Sequence, residues 1–534
     1  MNATLLRALG FALAGVAQAA SIAWPWGGRP LWWLQILSLA ALVWLLDGLR
    51  LDTAPKAWRR GFGHGWAFST AWLCGNFWWL FISMHTYGGM VAPLAALAVF
   101  ALAAALGLYY AAACAVLVAW GPTRWLWRAM CFAALWTLAE LIRGYWFTGF
   151  PWGAGGYAHV EGLLATFAPW VGVYGIGAVA ALMAAAIAEC LRLEDRRKLS
   201  WVAPLGVLLV LGGLASTGAP DVTANAAKAP PPPLQIALLQ GNIPQDEKFI
   251  PGGGVATALN WYGMQLRDAT ASLVVTPETA LPLLPSHLPP GYLDAIASRY
   301  GSGAQAAIVG LPMGDRRGYT NTVLGFKAGQ ADPYRYDKHH LVPFGEFVPG
   351  MFRWFTEMLS IPLGDFGRGG LAQPSFEWQG HRIAPNVCYE DLFGEEIGAN
   401  FRNDASAPTI LLNVSNIAWF GDSVAIDQHL AISRMRAIEF QRPMVRATNT
   451  GATVVIDHHG VVTQSLPRLT RGVLVATVEG RNGITPYAAW VSRFGLVPMW
   501  LVAMLVVAVT ILPGVLRRRK QAGTPAVRPL RRRH

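Results

Sequence analysis

Three side chains capable of covalent chemistry stand at matching places in the second half of this sequence. Glu278 closes the run SLVVTPE, Lys338 closes PYRYDK and Cys388 closes RIAPNVC. A thiol becomes a nucleophile once its proton is removed, a carboxylate can take that proton, and an ammonium can hold a developing oxyanion. Singly, each residue has an ordinary reading: a polar loop residue, a surface lysine and a small buried hydrophobe. Their shared position after an apolar run argues otherwise, because ligands of layered α/β sheets meet the carboxyl ends of strands. Context also sets the thiol apart. Of five cysteines, Cys74, Cys114, Cys131 and Cys190 lie in strongly apolar stretches, and only Cys388 lies in the polar region. The acids Glu390 and Asp391 directly behind it oppose a low thiol pKa, so a base and a cation are needed there.

The cysteine number is odd, and no CxxC or Cys/His spacing of a zinc site occurs, which supports neither a disulfide framework nor structural zinc. The doublets His339-His340 and His458-His459 offer one ligand each at best, since neighbouring side chains of a strand face opposite ways. No metal and no other cofactor is expected.

The elements that must position these residues begin at Leu234. Ten β-rich runs follow: LQIALLQ, SLVVTPE, QAAIVGLP, TNTVLGF, PYRYDK, RIAPNVC, TILLNVS, PMVRATN, ATVVIDHHG and GVLVATVE. Helical patterns lie between some of them, notably VATALNWYGMQLRDATA, GYLDAIASRYG and VAIDQHLAISRMRAIEFQR. Several runs are apolar on both faces, which suits a sheet buried between layers. Strands of this kind mixed with helices imply a layered α/β domain, and about 260 residues are enough to bury its own core.

The rest of the chain has a different texture. Of 534 residues, 54% are hydrophobic and only 13% charged, against about 25% charged in a soluble globular protein. Mean hydropathy is +0.36. Segments long and apolar enough to cross a bilayer fall near 6–25, 30–47, 65–85, 92–119, 129–147, 163–189, 201–217 and 494–515. The fifth carries Glu140 and Arg143; Arg143, near its end, is expected to snorkel to the interface. Basic residues alternate with the crossings. Arg50, Lys56, Arg59 and Arg60, then Arg124 and Arg128, then Arg192, Arg196, Arg197 and Lys198 sit on one side, while HTYGGMV on the other has none. The positive-inside rule then puts the N-terminus in the cytoplasm and the polar domain outside. GVAQAAS resembles a signal-peptidase site, but an uncleaved anchor is the preferred reading. The net charge of +12 is topological rather than a sign of nucleic-acid binding. The expected organisation is a membrane domain over 1–218 with seven helices, a Pro/Ala linker over 219–233, a catalytic domain over 234–485, an eighth helix over 486–516 and a basic tail over 517–534.

VVTPETALP, YDKHHLVPFGEFVP and NVCYEDLF resemble the Glu–Lys–Cys motifs of the nitrilase-like superfamily. With LLQGNIPQ, NVSNIAWFG, RATNTG and membrane helices on both sides, the resemblance narrows to the apolipoprotein N-acyltransferase family. It implies an αββα sandwich outside the membrane and a place in the bacterial inner membrane with the catalytic domain on the periplasmic side. It also implies the last step of lipoprotein maturation: an acyl chain passes from a phospholipid, typically the sn-1 position of phosphatidylethanolamine, to the α-amine of an S-diacylglyceryl-cysteine apolipoprotein. Glu278, Lys338 and Cys388 match the triad, Glu346 a further acidic residue, and Tyr389 and Glu390 the CYE stretch. Phe249 stands where the family commonly has tryptophan on a mobile loop, which keeps the ring and loses the indole N–H.

On this reading Cys388 carries the acyl group as a thioester with ping-pong kinetics, and Glu278 moves the protons. Lys338 and a backbone N–H, that of Tyr389, hold the oxyanion, and Glu346 orients Lys338 or shares the base role. A monomer is expected. VPFGEFVPGMFRWFTEMLSIPLG reads as an arm whose rings, among them Phe352 and Trp354, dip into the lipid interface and gate entry. Three rivals stand beside it. A tethered nitrilase-like amidase would share the triad but needs one anchor helix. A transporter would place ionisable residues and broken helices at mid-membrane. A papain-like site would pair Cys388 with His339, His340 or His429.

Overall fold

A computed structural model describes residues 3–51, 57–191, 206, 221, 231–315, 318–348 and 366–522. The helical part comprises α1 (Ala3–Ile22), α2 (Trp32–Leu51), α3 (Ala57–Phe77), α4 (Ala92–Trp120), α5 (Trp125–Tyr145) and α6 (Ala168–Cys190). In α4 a run of Ala and Leu favours helix from a proline in its first turn, where the missing N–H is no loss. The third helix starts at Ala57 rather than near residue 65. It is less apolar than its neighbours and buries Phe68, Trp72 and Phe77 against α1 and α4. Apart from residue 206, the segment expected to cross at 201–217 lies outside the described residues, as do most of the linker and the tail from residue 523.

The polar region folds as two six-stranded sheets packed face to face. The first runs β12–β1–β2–β3–β4–β5 and the second β11–β10–β9–β8–β7–β6. The first consists of β1 (Leu234–Gln240), β2 (Leu273–Val275), β3 (Ala306–Asp315), β4 (Gly318–Phe326), β5 (Tyr334–Asp337) and, from the end of the domain, β12 (Gly472–Val478). The second holds β6 (Phe376–Trp378), β7 (His381–Val387), β8 (Ile410–Ser415), β9 (Met444–Thr448), β10 (Val454–Ile456) and β11 (Val462–Ser465). The inner core joins Leu238, Val275 and Ile308 of one sheet to Val387, Leu412 and Val445 of the other. On the outer faces, α7 (Ala256–Asp268) and α8 (Tyr292–Gly301) cover the first sheet, and α9 (Val424–Phe440) and α10 (Pro486–Phe494) cover the second. The layers are therefore α, β, β and α, as a nitrilase-like domain requires. The central strands β1, β2, β7, β8 and β9 are buried on both faces, which is why they read as apolar runs.

The chain then turns at Gly495, whose φ is +54°, into α11 (Val497–Ala522). The sequence suggested one helix from 486 to 516. Instead α10 belongs to the sandwich, with Tyr487, Ala488 and Val491 in its core. Among the described residues six helical segments are long and apolar enough to cross a membrane: Leu5–Ile22, Trp32–Leu49, Ala92–Trp120, Trp125–Thr148, Leu163–Cys190 and Val497–Leu516.

Arg143 does not snorkel. It is 1% exposed, and its guanidinium donates to the Tyr110 hydroxyl at 2.8 Å and to the carbonyls of Phe150 and Trp152 at 2.7 and 2.8 Å. Near it Glu140 accepts the N–H of Gly155 at 2.8 Å. Glu140 and Arg143 thus hold the loop that follows α5 against the helices.

Candidate active site

Two strands of the first sheet and one of the second end at the same edge of the sandwich. Beyond β2 the chain reaches Glu278, beyond β5 Lys338, and beyond β7 Cys388. The Lys338 ammonium is 1% exposed and lies 3.5 Å from Glu278 Oε1 and 2.9 Å from Glu346 Oε1. Asn321 on β4 bridges the same two carboxylates, its amide donating at 2.7 Å to Glu278 and 2.9 Å to Glu346. The second Glu278 oxygen accepts the N–H of Asn416 at 2.7 Å. Cys388 has φ +54°, which turns the chain sharply off β7. Its sulfur accepts from the Ser415 hydroxyl at 3.4 Å, and its carbonyl takes the amide of Asn413 at 3.1 Å.

The electrostatics follow from burial and these contacts. Burial alone would raise Glu278, but Lys338, Lys248 and the Asn321 and Asn416 donors hold it below the usual carboxylate range. Burial likewise opposes a charge on Lys338, and Glu346 and Glu278 more than offset it, raising the ammonium above an ordinary lysine. Cys388 keeps part of its surface accessible. Even so, burial and the Glu278 charge push its thiol up to about 12, against the pull of Lys338 and Ser415. The resting arrangement is therefore carboxylate, ammonium and neutral thiol.

Residues 14–186 match the family described as the apolipoprotein N-acyltransferase N-terminal domain, and residues 235–485 match carbon-nitrogen hydrolase. The apolipoprotein N-acyltransferase of Verminephrobacter eiseniae is 58% identical over 91% of this chain and 92% of its own. That of Ralstonia nicotianae is 44% identical over 92% and 90%, and that of Bordetella bronchiseptica 40% over 93% and 95%. The chain belongs to the apolipoprotein N-acyltransferase family.

In this apolipoprotein N-acyltransferase family member the acids behind the thiol do not face it. Glu390 accepts the N–H groups of Val387 at 2.6 Å, His339 at 2.6 Å and His340 at 3.1 Å, and the Tyr336 hydroxyl at 2.9 Å. Asp391 accepts from His429 at 3.0 Å and Arg446 at 3.2 Å, and also from Ser433. The carboxylates that raise the thiol pKa are Glu278 and Glu346. Tyr389 is buried, and its hydroxyl donates to the Gly149 carbonyl at 3.0 Å. The papain-like alternative finds no geometry. His429 lies 3.2 Å from the Cys388 carbonyl rather than beside the sulfur, with Arg446 donating to its Nδ1 at 3.1 Å. His339 meets the Gly369 carbonyl at 2.8 Å. His340 sits between Glu396 and the Thr148 carbonyl, 2.9 Å from each.

Phe249 is 54% exposed on the loop after β1. Phe352 and Trp354, expected to form the lipid arm, lie outside the described residues. Asn321, Asn413, Ser415 and Asn416 were missed as site residues. Their signal was present: polar residues inside or just after apolar runs such as TILLNVS need buried partners.

Proposed function

We propose that this chain transfers an acyl chain from a membrane phospholipid to the N-terminal α-amine of S-diacylglyceryl-cysteine apolipoproteins through a thioester on Cys388. The donor is phosphatidylethanolamine at its sn-1 ester, and the reaction is the last step of lipoprotein maturation. The sandwich faces the periplasm on the outer side of the inner membrane, and the enzyme acts as a monomer. The observation that carries this reading is Lys338 held between Glu278 and Glu346 at 3.5 and 2.9 Å where β7 delivers Cys388.

In the first half-reaction Glu278 takes the Cys388 proton as the sulfur attacks the ester carbonyl. A thiol pushed up to about 12 loses its proton during attack rather than before it, so an ionised base within the site is required. Lys338 stabilises the oxyanion, while Glu346 keeps the ammonium charged and aimed. The C–O bond breaks, and Glu278 returns its proton to the lysophospholipid oxygen. In the second half the neutral amine attacks the thioester and gives a proton to Glu278. The C–S bond breaks, and the proton goes back to the thiolate. Membrane helices suit this substrate, since drawing a lipid chain into water costs about 0.8 kcal/mol per CH₂.

Intact-mass measurement of the full chain incubated with phosphatidylethanolamine tests it. An acyl-sized increment on Cys388, removed by a diacylglyceryl peptide and absent from Cys388→Ala, is expected. Undiminished labelling of Cys388→Ala sinks the assignment.

A further inference from the structure

The loop between β1 and α7 carries a lysine that this reaction scheme leaves unused. Lys248 lies between the exposed residues Glu247 and Phe249, yet it is 2% exposed itself. Its ammonium reaches the main-chain carbonyl of Glu278 at 3.4 Å and lies 5.9 Å from the Phe249 ring centroid. One long hydrogen bond to a neutral acceptor does not offset the burial of an ammonium. The compensation must come from neighbouring charge.

The groups that act on Lys248 are Glu278 and Cys388, which interact in turn with Lys338 and Glu346; Arg446 also acts on Cys388, and Glu390 on Lys338. With the thiol protonated, Glu278 and Glu346 bring two negative charges and Lys338 one positive. That set alone buries a net negative charge. Lys248 is the second cation acting on Glu278, beside Lys338. The total charge survives the chemistry: when the Cys388 proton moves to Glu278, the negative charge passes from carboxylate to sulfur and the sum is unchanged. Burial lowers Lys248 to about 8, with Glu278 and Cys388 pulling it back up, so it remains cationic at neutral pH.

We infer that Lys248 is a positioning residue for the general base: its charge, held against the main chain of Glu278, keeps the Glu278 carboxylate ionised. This rests on Glu278 being the base of the proposed reaction. A second anchor from the same loop supports the placement. Gln245 is buried and accepts from the Asn416 side chain at 2.9 Å, and the Asn416 N–H holds Glu278.

The test uses the full chain in detergent, with Lys248→Met and Lys248→Gln as variants in case one fails to fold and Lys248→Arg as the charge-conserving control. Two rates are followed from pH 4 to pH 9: acylation of Cys388 by phosphatidylethanolamine, and its alkylation by iodoacetamide. Losing a neighbouring cation raises a buried carboxylate by about one to two units. The acid limb of acylation therefore moves up by that amount in the neutral variants and stays near wild type in Lys248→Arg. Alkylation at pH 7 slows about tenfold, because the thiolate loses the same cation. A limb that stays in place, with a uniform loss at every pH or none, overturns the inference. If wild type is never acylated but alkylation slows as expected, the donor reading fails while the role of Lys248 stands.

Discussion

Cys388 sits in a backbone region that a non-glycine residue enters at a cost of about 1–3 kcal/mol, with φ +54°. Two donors on its carbonyl, Asn413 at 3.1 Å and His429 at 3.2 Å, hold that conformation. Because Arg446 donates to Nδ1 of His429, the hydrogen of the imidazole is on Nε2, facing Asp391 and the Cys388 carbonyl. His429 therefore clamps the Cys388 main chain and does not reach its sulfur. His429→Phe keeps a ring beside Trp152, which is 5.4 Å away, and deletes the clamp. We expect acylation to slow about tenfold, the value of one such bond, with the acid limb unmoved. A general base is worth about 10²–10⁴-fold, so a loss of that size in a folded variant would return His429 to the chemistry.

At the scale of elements, the edge of the sandwich is tied by Glu390, whose carboxylate spans the ends of β5 and β7 and so fixes Lys338 relative to Cys388. Burial raises its pKa, while the Val387, His339 and His340 N–H groups and the Lys338 charge favour the ionised form. Glu390→Leu strands three N–H groups of that edge. Each orphaned buried donor costs about 1–3 kcal/mol, so a loss of about 3 kcal/mol or more is expected, visible as a lower midpoint for thermal loss of near-UV circular dichroism. An unchanged midpoint would show the edge held by other means. Each of the ten runs read from the sequence holds a strand; for the central ones burial on both faces writes the strand as an apolar run, and the edge strands β5 and β12 show instead through their tyrosines and β-branched residues. The two that were missed, Phe376–Trp378 and Val462–Ser465, are the edges of the second sheet, short and half exposed. The acids behind the thiol were misjudged because proximity in sequence does not tell direction. A 3₁₀ turn at Cys388–Leu392 points Glu390 back to the strand ends and Asp391 under the main chain.

At the scale of the molecule, the helical part and the sandwich share one hydrophobic cluster, in which Trp79, Trp136 and Trp152 join Tyr389, Phe393 and Met435. Polar contacts set its register. The Gln428 side-chain amide oxygen accepts the indole N–H groups of Trp79 at 3.0 Å and Trp152 at 2.7 Å, and the Glu439 carboxylate takes the N–H of Val173 at 2.7 Å. The loop after α5 has positive φ at Phe147, Thr148 and Gly149, and a Cβ on Gly149 would collide with the Gly144 carbonyl. Through this loop Arg143 reaches the site: it grips the carbonyls of Phe150 and Trp152, while Gly149 takes the Tyr389 hydroxyl beside Cys388. Arg143→Met frees those carbonyls and leaves the bonds among Glu278, Lys338 and Glu346 intact. Hydrogen bonds from a charged donor are worth about 1.5–3 kcal/mol, so phospholipid acylation should fall at least about tenfold. Alkylation of Cys388 by iodoacetamide, which needs no lipid delivered from the membrane, should change less than about threefold. A parallel fall in both rates would mean that Arg143 supports the folding of the site itself rather than its register with the membrane.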